Sequence, residues 1–214
     1  MSAISLLALA AAGCGSASPE ELPPAAGPAR SPALETAPAG RLLPLGSIPA
    51  VTVADGATAT VAAARGRAFV VLSTRERVVE LFDTRTLRRL GRAPAGVGPT
   101  RVVSDGGGTV YVVDTAGDAL LVYRLRPKLE PIRRYALLGA PYGVAFDPRR
   151  RRLWVTLTRT NEVVELAAGT RPHELARFPT PRQPDTVAVE PRTGRVFVTG
   201  SADGVVQRLA APRE

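Results

Sequence analysis

The 214-residue chain holds one cysteine, one histidine (His173), one asparagine (Asn161) and one lysine (Lys128). A single cysteine excludes an intramolecular disulfide framework and any multi-cysteine metal site. A single histidine excludes a histidine-rich metal centre. No contiguous run reaches the roughly 18 apolar residues of a membrane-spanning helix. Aromatic residues are 5% of the chain, and helical periodicity is missing throughout. Valine, leucine and alanine are plentiful, so a core is available. Gly 20 and Pro 20 suit a turn-rich β protein better than a helical bundle. The net charge is +9 and comes almost entirely from arginine.

The first forty residues read as targeting and tether. Residues 4–12 (ISLLALAAA) have the length of a signal-peptide h-region. The following Gly13-Cys14 resembles a bacterial lipobox, in which small residues precede a cysteine that is lipidated and becomes the new N-terminus. Residue 11 is Ala where Leu is more usual, and residues 1–5 carry no Lys or Arg. The reading is a signal peptide over 1–13, lipidation at Cys14, a membrane-anchored lipoprotein on the outer side of a bacterial membrane, and a Pro/Ala-rich tether over 14–40. That stretch has too few large apolar residues to order itself.

From residue 41 the chain repeats. Phe69, Tyr111, Trp154 and Phe197 are spaced 42, 43 and 43 within four apolar runs. Residues 78–79, 120–121, 163–164 and 205–206 form a second column, and Pro99, Pro141 and Pro184 a third. A period of 40 to 45 with several short strands per unit predicts an all-β propeller of about four four-stranded blades. The continuous apolar runs suit strands covered on both faces; a helical solenoid of similar period lacks the required periodicity. Each unit reads as strands a to d from the inside outward.

Residues 141–148 (PYGVAFDP) with 153–156 (LWVT), and 187–191 (VAVEP) with 195–199 (RVFVT), resemble YVTN-type propeller repeats. Residues 109–115 (TVYVVDT) are nearer the NHL form. The resemblance covers residues 58–209, and it implies the fold and no particular activity. The Asn that ends the YVTN tetrad is replaced by Leu72, Asp114, Leu157 and Gly200. The fourth unit stops after its third strand, and an orphan apolar segment, 42–48, precedes the first. Pairing the two is expected to close the last blade and remove the edges. An eight-blade ring from two chains, or a piece of a longer propeller, is the alternative, so monomer and dimer stay open.

In such a fold the d–a and b–c loops surround the central channel. They carry Arg101, Tyr142, Asp185, Asp114, Asp118, Asn161, Glu162 and Asp203, the expected channel-rim site. Arg101, Tyr142 and Asp185 stand at equivalent or adjacent positions of three repeats: a cation, an aromatic and a carboxylate. Residues 106–108 are three glycines in an a–b turn, without the lysine or helix of a phosphate loop. No metal set, cofactor or catalytic residue is read from the sequence.

Residues 41–214 carry 27 basic and 16 acidic residues, net +11. Arg149, Arg150, Arg151 and Arg152 form a run that suggests a basic face able to attract anionic polymers. No aromatics are interleaved with it, which argues against nucleic acid. The resulting reading is a lipid-anchored, non-catalytic scaffold binding an unknown protein or small polar ligand. The alternatives are a propeller hydrolase or lactonase with a channel site, and a binder of anionic polymer through the arginine face.

Overall fold

The computed structural model describes residues 26–44, 59–64, 68–86 and 88–209. Cys14 and the leader lie outside the described residues. The described residues form sixteen strands and no helix: β1 (Arg41–Pro44), β2 (Ala59–Ala64), β3 (Ala68–Ser73), β4 (Val78–Asp83), β5 (Arg89–Pro94), β6 (Pro99–Ser104), β7 (Thr109–Asp114), β8 (Ala119–Arg124), β9 (Glu130–Ala136), β10 (Pro141–Asp147), β11 (Arg152–Leu157), β12 (Glu162–Ala167), β13 (His173–Pro179), β14 (Pro184–Val189), β15 (Val196–Gly200) and β16 (Val205–Leu209). They make four antiparallel four-stranded sheets. Three are sequential meanders, β2 to β5, β6 to β9 and β10 to β13. The fourth runs β14-β15-β16-β1, with β1 paired antiparallel to β16 from Arg41↔Arg208 to Pro44↔Val205.

One local device recurs where the second and third strands of a sheet are joined. The turn opens on Thr74, Thr115, Thr158 or Ser201. The backbone N–H of Thr115, Thr158 and Ser201 donates to the carbonyl of Gly98, Ala140 and Gln183 at 3.0–3.2 Å. Each of those carbonyls belongs to the residue before the proline that opens the inner strand. Proline has no N–H to lose there, so it can start a strand without leaving a broken ladder. The hydroxyls bind again: Thr158 to Ala140 O at 3.1 Å, Ser201 to Gln183 O at 3.3 Å. Thr115 reaches Pro141 O of the next sheet at 2.6 Å.

These turns also fix the repeat register, and they correct the expected alignment of the first unit. Ser73 pairs with Val78 at the end of its hairpin, as Asp114 pairs with Ala119. Val70, not Phe69, therefore stands where Tyr111 does. The run 68–72 is apolar throughout, so its sequence tolerates a one-residue slip that exchanges the two faces of the strand. Phe69 falls on the face away from the second sheet and stacks on Phe82, ring centroids 5.4 Å apart.

The sheets pack face to face in chain order around three cores. Val70, Leu72, Val79 and Leu81 meet Val110, Val112, Leu121 and Tyr123 between the first two sheets. Tyr111, Val113 and Leu120 meet Leu153, Val155 and Leu166 between the second and third. Trp154 and Val163 meet Val187, Val196, Val198 and Leu209 between the third and fourth. The middle strands of the two inner sheets are consequently buried on both faces. Those of the first sheet alternate between buried and half-buried, and in the fourth Phe197 and Thr199 are half-buried between buried neighbours.

Residues 26–40 differ from the expected free tether. They carry no regular structure of their own, in keeping with their composition, yet they lie on the loop ends of the third and fourth sheets. The sheets supply partners that the segment lacks: Ala39 N donates to Pro179 O at 3.2 Å, and the buried Gln207 Nε2 donates to Ala39 O and, at 2.9 Å, to Pro179 O.

Trp154 and Phe197 occupy one repeat position, with Trp154 1% exposed and Phe197 half-buried. Trp154→Ala is expected to cost about 3–5 kcal/mol, and Phe197→Ala less than half of that, read from urea midpoints of the two variants. Equal losses would show that the outward face of the fourth sheet is covered in solution.

Candidate functional site

The inner strands of the second, third and fourth sheets each begin with a register irregularity just after the opening proline: between Pro99 and Arg101, Pro141 and Val144, Pro184 and Thr186. A bulge re-aims the side chains beside it, here Arg101, Tyr142 and Asp185. The Arg101 guanidinium lies over the Tyr142 ring at 5.0 Å from its centroid, a cation–π contact between adjacent sheets. Gly143, next to Tyr142, lets β10 approach β14: a Cβ there would stand 2.9 Å from Asp185 O and 2.9 Å from Thr156 Oγ1. Its N–H donates to Thr156 Oγ1 at 2.8 Å. Asp185 does not share the Arg101–Tyr142 contact. Its Oδ2 accepts from Ser201 Oγ at 2.5 Å, and its Oδ1 is buried without a hydrogen-bond partner.

The other expected rim carboxylates are engaged by neighbouring backbone N–H groups or arginines. Asp114 is buried and accepts from Val97 N (3.0 Å), Gly98 N (2.7 Å) and Gly117 N (3.2 Å). Side chains at Gly96 or Gly117 would collide with that carboxylate. Asp114 thus clamps the loop entering the second sheet. Asp118 does the same one loop on, accepting from Ala140 N (2.7 Å) and Gly139 N (3.2 Å) and pairing with Arg159 at 3.1 Å. Glu162 pairs with Arg177 at 2.8 Å, and Asp203 with Arg182 at 2.8 Å while also accepting Arg182 N.

Asn161 stands apart from these. It is buried, its Nδ2 donates to Pro32 O at 3.2 Å, and its Oδ1 accepts from Gln183 N at 3.4 Å. Beside it, Gln183 and Thr158 grip the same segment. Gln183 Nε2 donates to Ala29 O at 2.9 Å and its Oε1 accepts from Ser31 N at 3.1 Å; Ala29 N donates to Thr158 Oγ1 at 3.2 Å. Ser31 Oγ donates to Thr158 O at 2.6 Å and accepts from Gln183 N at 2.9 Å. A cavity of about 630 Å³ lies alongside, between residues 32–36 and Arg159, Asn161, Glu162 and Arg177.

Gln183 and Thr158 were not among the expected site residues. The available signal was the repeat itself: the residue before the strand-opening proline is Gly98, then Ala140, then Gln183. Gln183 sits at φ 57°, a left-handed conformation that a residue with a Cβ adopts at a cost. A long amide at that position is a choice of side chain made against backbone preference.

The arginine run is already engaged. Arg150 pairs with Asp147 at 3.5 Å, Arg151 with Asp105 at 3.4 Å and Arg152 with Glu165 at 3.3 Å; Arg149 donates to Arg192 O at 2.6 Å. Burial pushes the Glu165 carboxyl above its ordinary range in spite of Arg152. His173 is exposed in β13 at the outer edge of the third sheet. Among the described residues, no three His, Cys, Asp or Glu side chains come together as metal ligands would. What the loop face offers chemically is hydrogen bonding to polypeptide backbone and a cation–aromatic pair.

Burial acts to raise the Asp118 carboxyl, but the N–H groups of Ala140 and Gly139 and the Arg159 guanidinium outweigh it and hold the group below its usual range. A lowered folded-state value stabilises the fold above the unfolded carboxylate range and stops doing so as pH falls through the folded value. Asp118→Asn should therefore lower the melting temperature at neutral pH, with the gap to wild type closing in acid. A gap that is constant over pH would contradict this assignment.

No protein-family model matches the sequence, and no curated protein does. Solved structures do. The chain is similar to hydrazine synthase of Kuenenia stuttgartiensis at 16% identity and a TM-score of 0.59, over 72% of this chain and 58% of that one. It is similar to a β-propeller domain of Myceliophteria thermophila at 12% identity and a TM-score of 0.58, over 70% and 53%. A chain of the mitotic checkpoint complex aligns at 9% identity and a TM-score of 0.55, over 67% and 45%. The chain thus spans about half the length of the structures it matches. At these identities the likeness concerns the fold alone, and that fold is a β-propeller.

Proposed function

We propose that the protein is an extracytoplasmic, lipid-anchored propeller of four YVTN/NHL-type blades that binds a partner protein or small polar ligand through its loop face and does no chemistry itself. The pairing of β1 with β16, which joins the two ends of the repeat array in one blade, supports the four-blade reading. The observation that carries the binding reading is the Arg101–Tyr142 pair. Two neighbouring blades, each with a bulge at the start of its inner strand, turn a cation and an aromatic toward one another on the face where the loops gather. A fold that needed only turns there would not need these two chemistries in contact. Charge-assisted hydrogen bonds to such groups contribute roughly 1.5–3 kcal/mol each.

The arginine run at 149–152 supports the anionic-polymer reading less well, since three of its four guanidinium groups already face carboxylates.

A photo-reactive phenylalanine analogue placed at Tyr142 is expected to cross-link the partner in the cell envelope, and the same group at Arg151 to cross-link nothing. Cross-links from Arg151 alone would move the site to the basic face. Anchoring is tested separately: in a bacterial host Cys14→Ser should shift the protein from the membrane to the soluble fraction. A wild-type protein that is soluble and keeps residues 1–13 would end the lipoprotein reading.

A further inference from the structure

We propose that the groove formed by Thr158, Asn161 and Gln183 is a binding site for an extended polypeptide of the pattern any residue, any residue, hydroxyl residue, proline. Residues 29–32 of this chain are its resident occupant, and a partner's segment of the same kind competes for it. The proposal rests on the reading of the loop face as a binding surface and names the chemistry it would take.

The contacts show what is recognised. Four backbone groups of the segment are held: Ala29 N by Thr158, Ala29 O and Ser31 N by the Gln183 amide, and Pro32 O by Asn161. The Gln183 side chain thus takes an acceptor and a donor of the extended backbone together, as a neighbouring β-strand would. Only one side chain is read. Ser31 Oγ donates to Thr158 O and accepts from Gln183 N, so a hydroxyl is required at that position. Arg30 between the clamped residues is exposed, so its position is free to vary. Proline at position 32 brings no N–H that needs a partner, and it biases Ser31 toward extended backbone.

The site is built by the blades. Thr158 and Asn161 belong to the b–c turn of the third blade, which is tied to Ala140 by two hydrogen bonds from Thr158. Gln183 belongs to the loop entering the fourth, tied to Ser201. The corresponding loop of the preceding blades carries Ala140 and Gly98, which have no such side chain, so this seam alone among the described loops has the amide. A segment joined to the blades through residues 33–40 competes at an effective concentration of about millimolar, so a partner's segment displaces it only with added contacts, for which the adjoining cavity gives room.

The test uses the full chain. Arg30 is a trypsin site whose flanking backbone is clamped. Wild type should be cut between Arg30 and Ser31 about tenfold more slowly than Gln183→Ala. Ser31→Ala, which keeps the groove and loses the hydroxyl, should also expose Arg30. It should then bind a labelled peptide of residues 26–38 roughly tenfold more tightly than wild type does, and adding Gln183→Ala should abolish that binding. Equal cleavage of wild type and Gln183→Ala would overturn the docking. Exposed Arg30 in Ser31→Ala with no peptide binding would overturn the site as one for a partner. Either failure leaves cross-linking from Tyr142 untouched, so it is distinguishable from failure of the binding reading itself.

Discussion

An apolar sheet with two greasy faces has to be covered twice. In this chain the middle strands of the second and third units are buried on both faces, and a sheet can satisfy that only by standing between two others. Serial face-to-face packing follows, with Tyr111 and Leu120 on one side of the second sheet and Val112 and Leu121 on the other. The sheets then converge at their inner strands, and the loops that link them gather on one face. The groove around residues 29–32 depends on that convergence, because Thr158 and Asn161 come from the third sheet and Gln183 from the loop entering the fourth.

Convergence in turn makes demands on the loops. Each outer-to-inner connection leaves backbone N–H groups pointing inward with no strand to pair with, and unpaired buried donors are costly. The turns between second and third strands answer with acceptors: Asp114, in the very sheet being entered, for residues 97 and 98, and, at one repeat position of the preceding sheet, Asp118 for 139 and 140 and Asn161 for 183. The series ends in an amide, and Asn161 has a donor left over once its oxygen has capped the loop. That donor faces Pro32. A structural position becomes a recognition position through a change from carboxylate to carboxamide.

The fold was legible because proline, hydroxyl and apolar residues recur with one period, and each has a physical reason to sit where it does. The face assignment of Phe69 was not legible, since an uninterrupted apolar run hides a one-residue slip. At the site, Arg101 and Tyr142 could be placed together from the repeat, because adjacent inner strands put them side by side. The loop-capping part played by Asp114 was not legible: turn carboxylates that face a ligand and those that cap a loop have the same sequence appearance, and only the direction of the neighbouring N–H groups shows the capping. The docked segment was hidden as well. A stretch poor in large apolar residues cannot order itself, but composition says nothing about donors and acceptors supplied from residues 127 to 154 positions away.

The central claim is that the loop face of this propeller holds an extended polypeptide by its backbone. Amide hydrogen exchange at Ala29 and Ser31 in the full chain tests it most directly, because both N–H groups donate into the groove. The account predicts protection at these two positions well above that of residues 33–36, which are exposed. Exchange at Ala29 and Ser31 as fast as in the isolated peptide would contradict it.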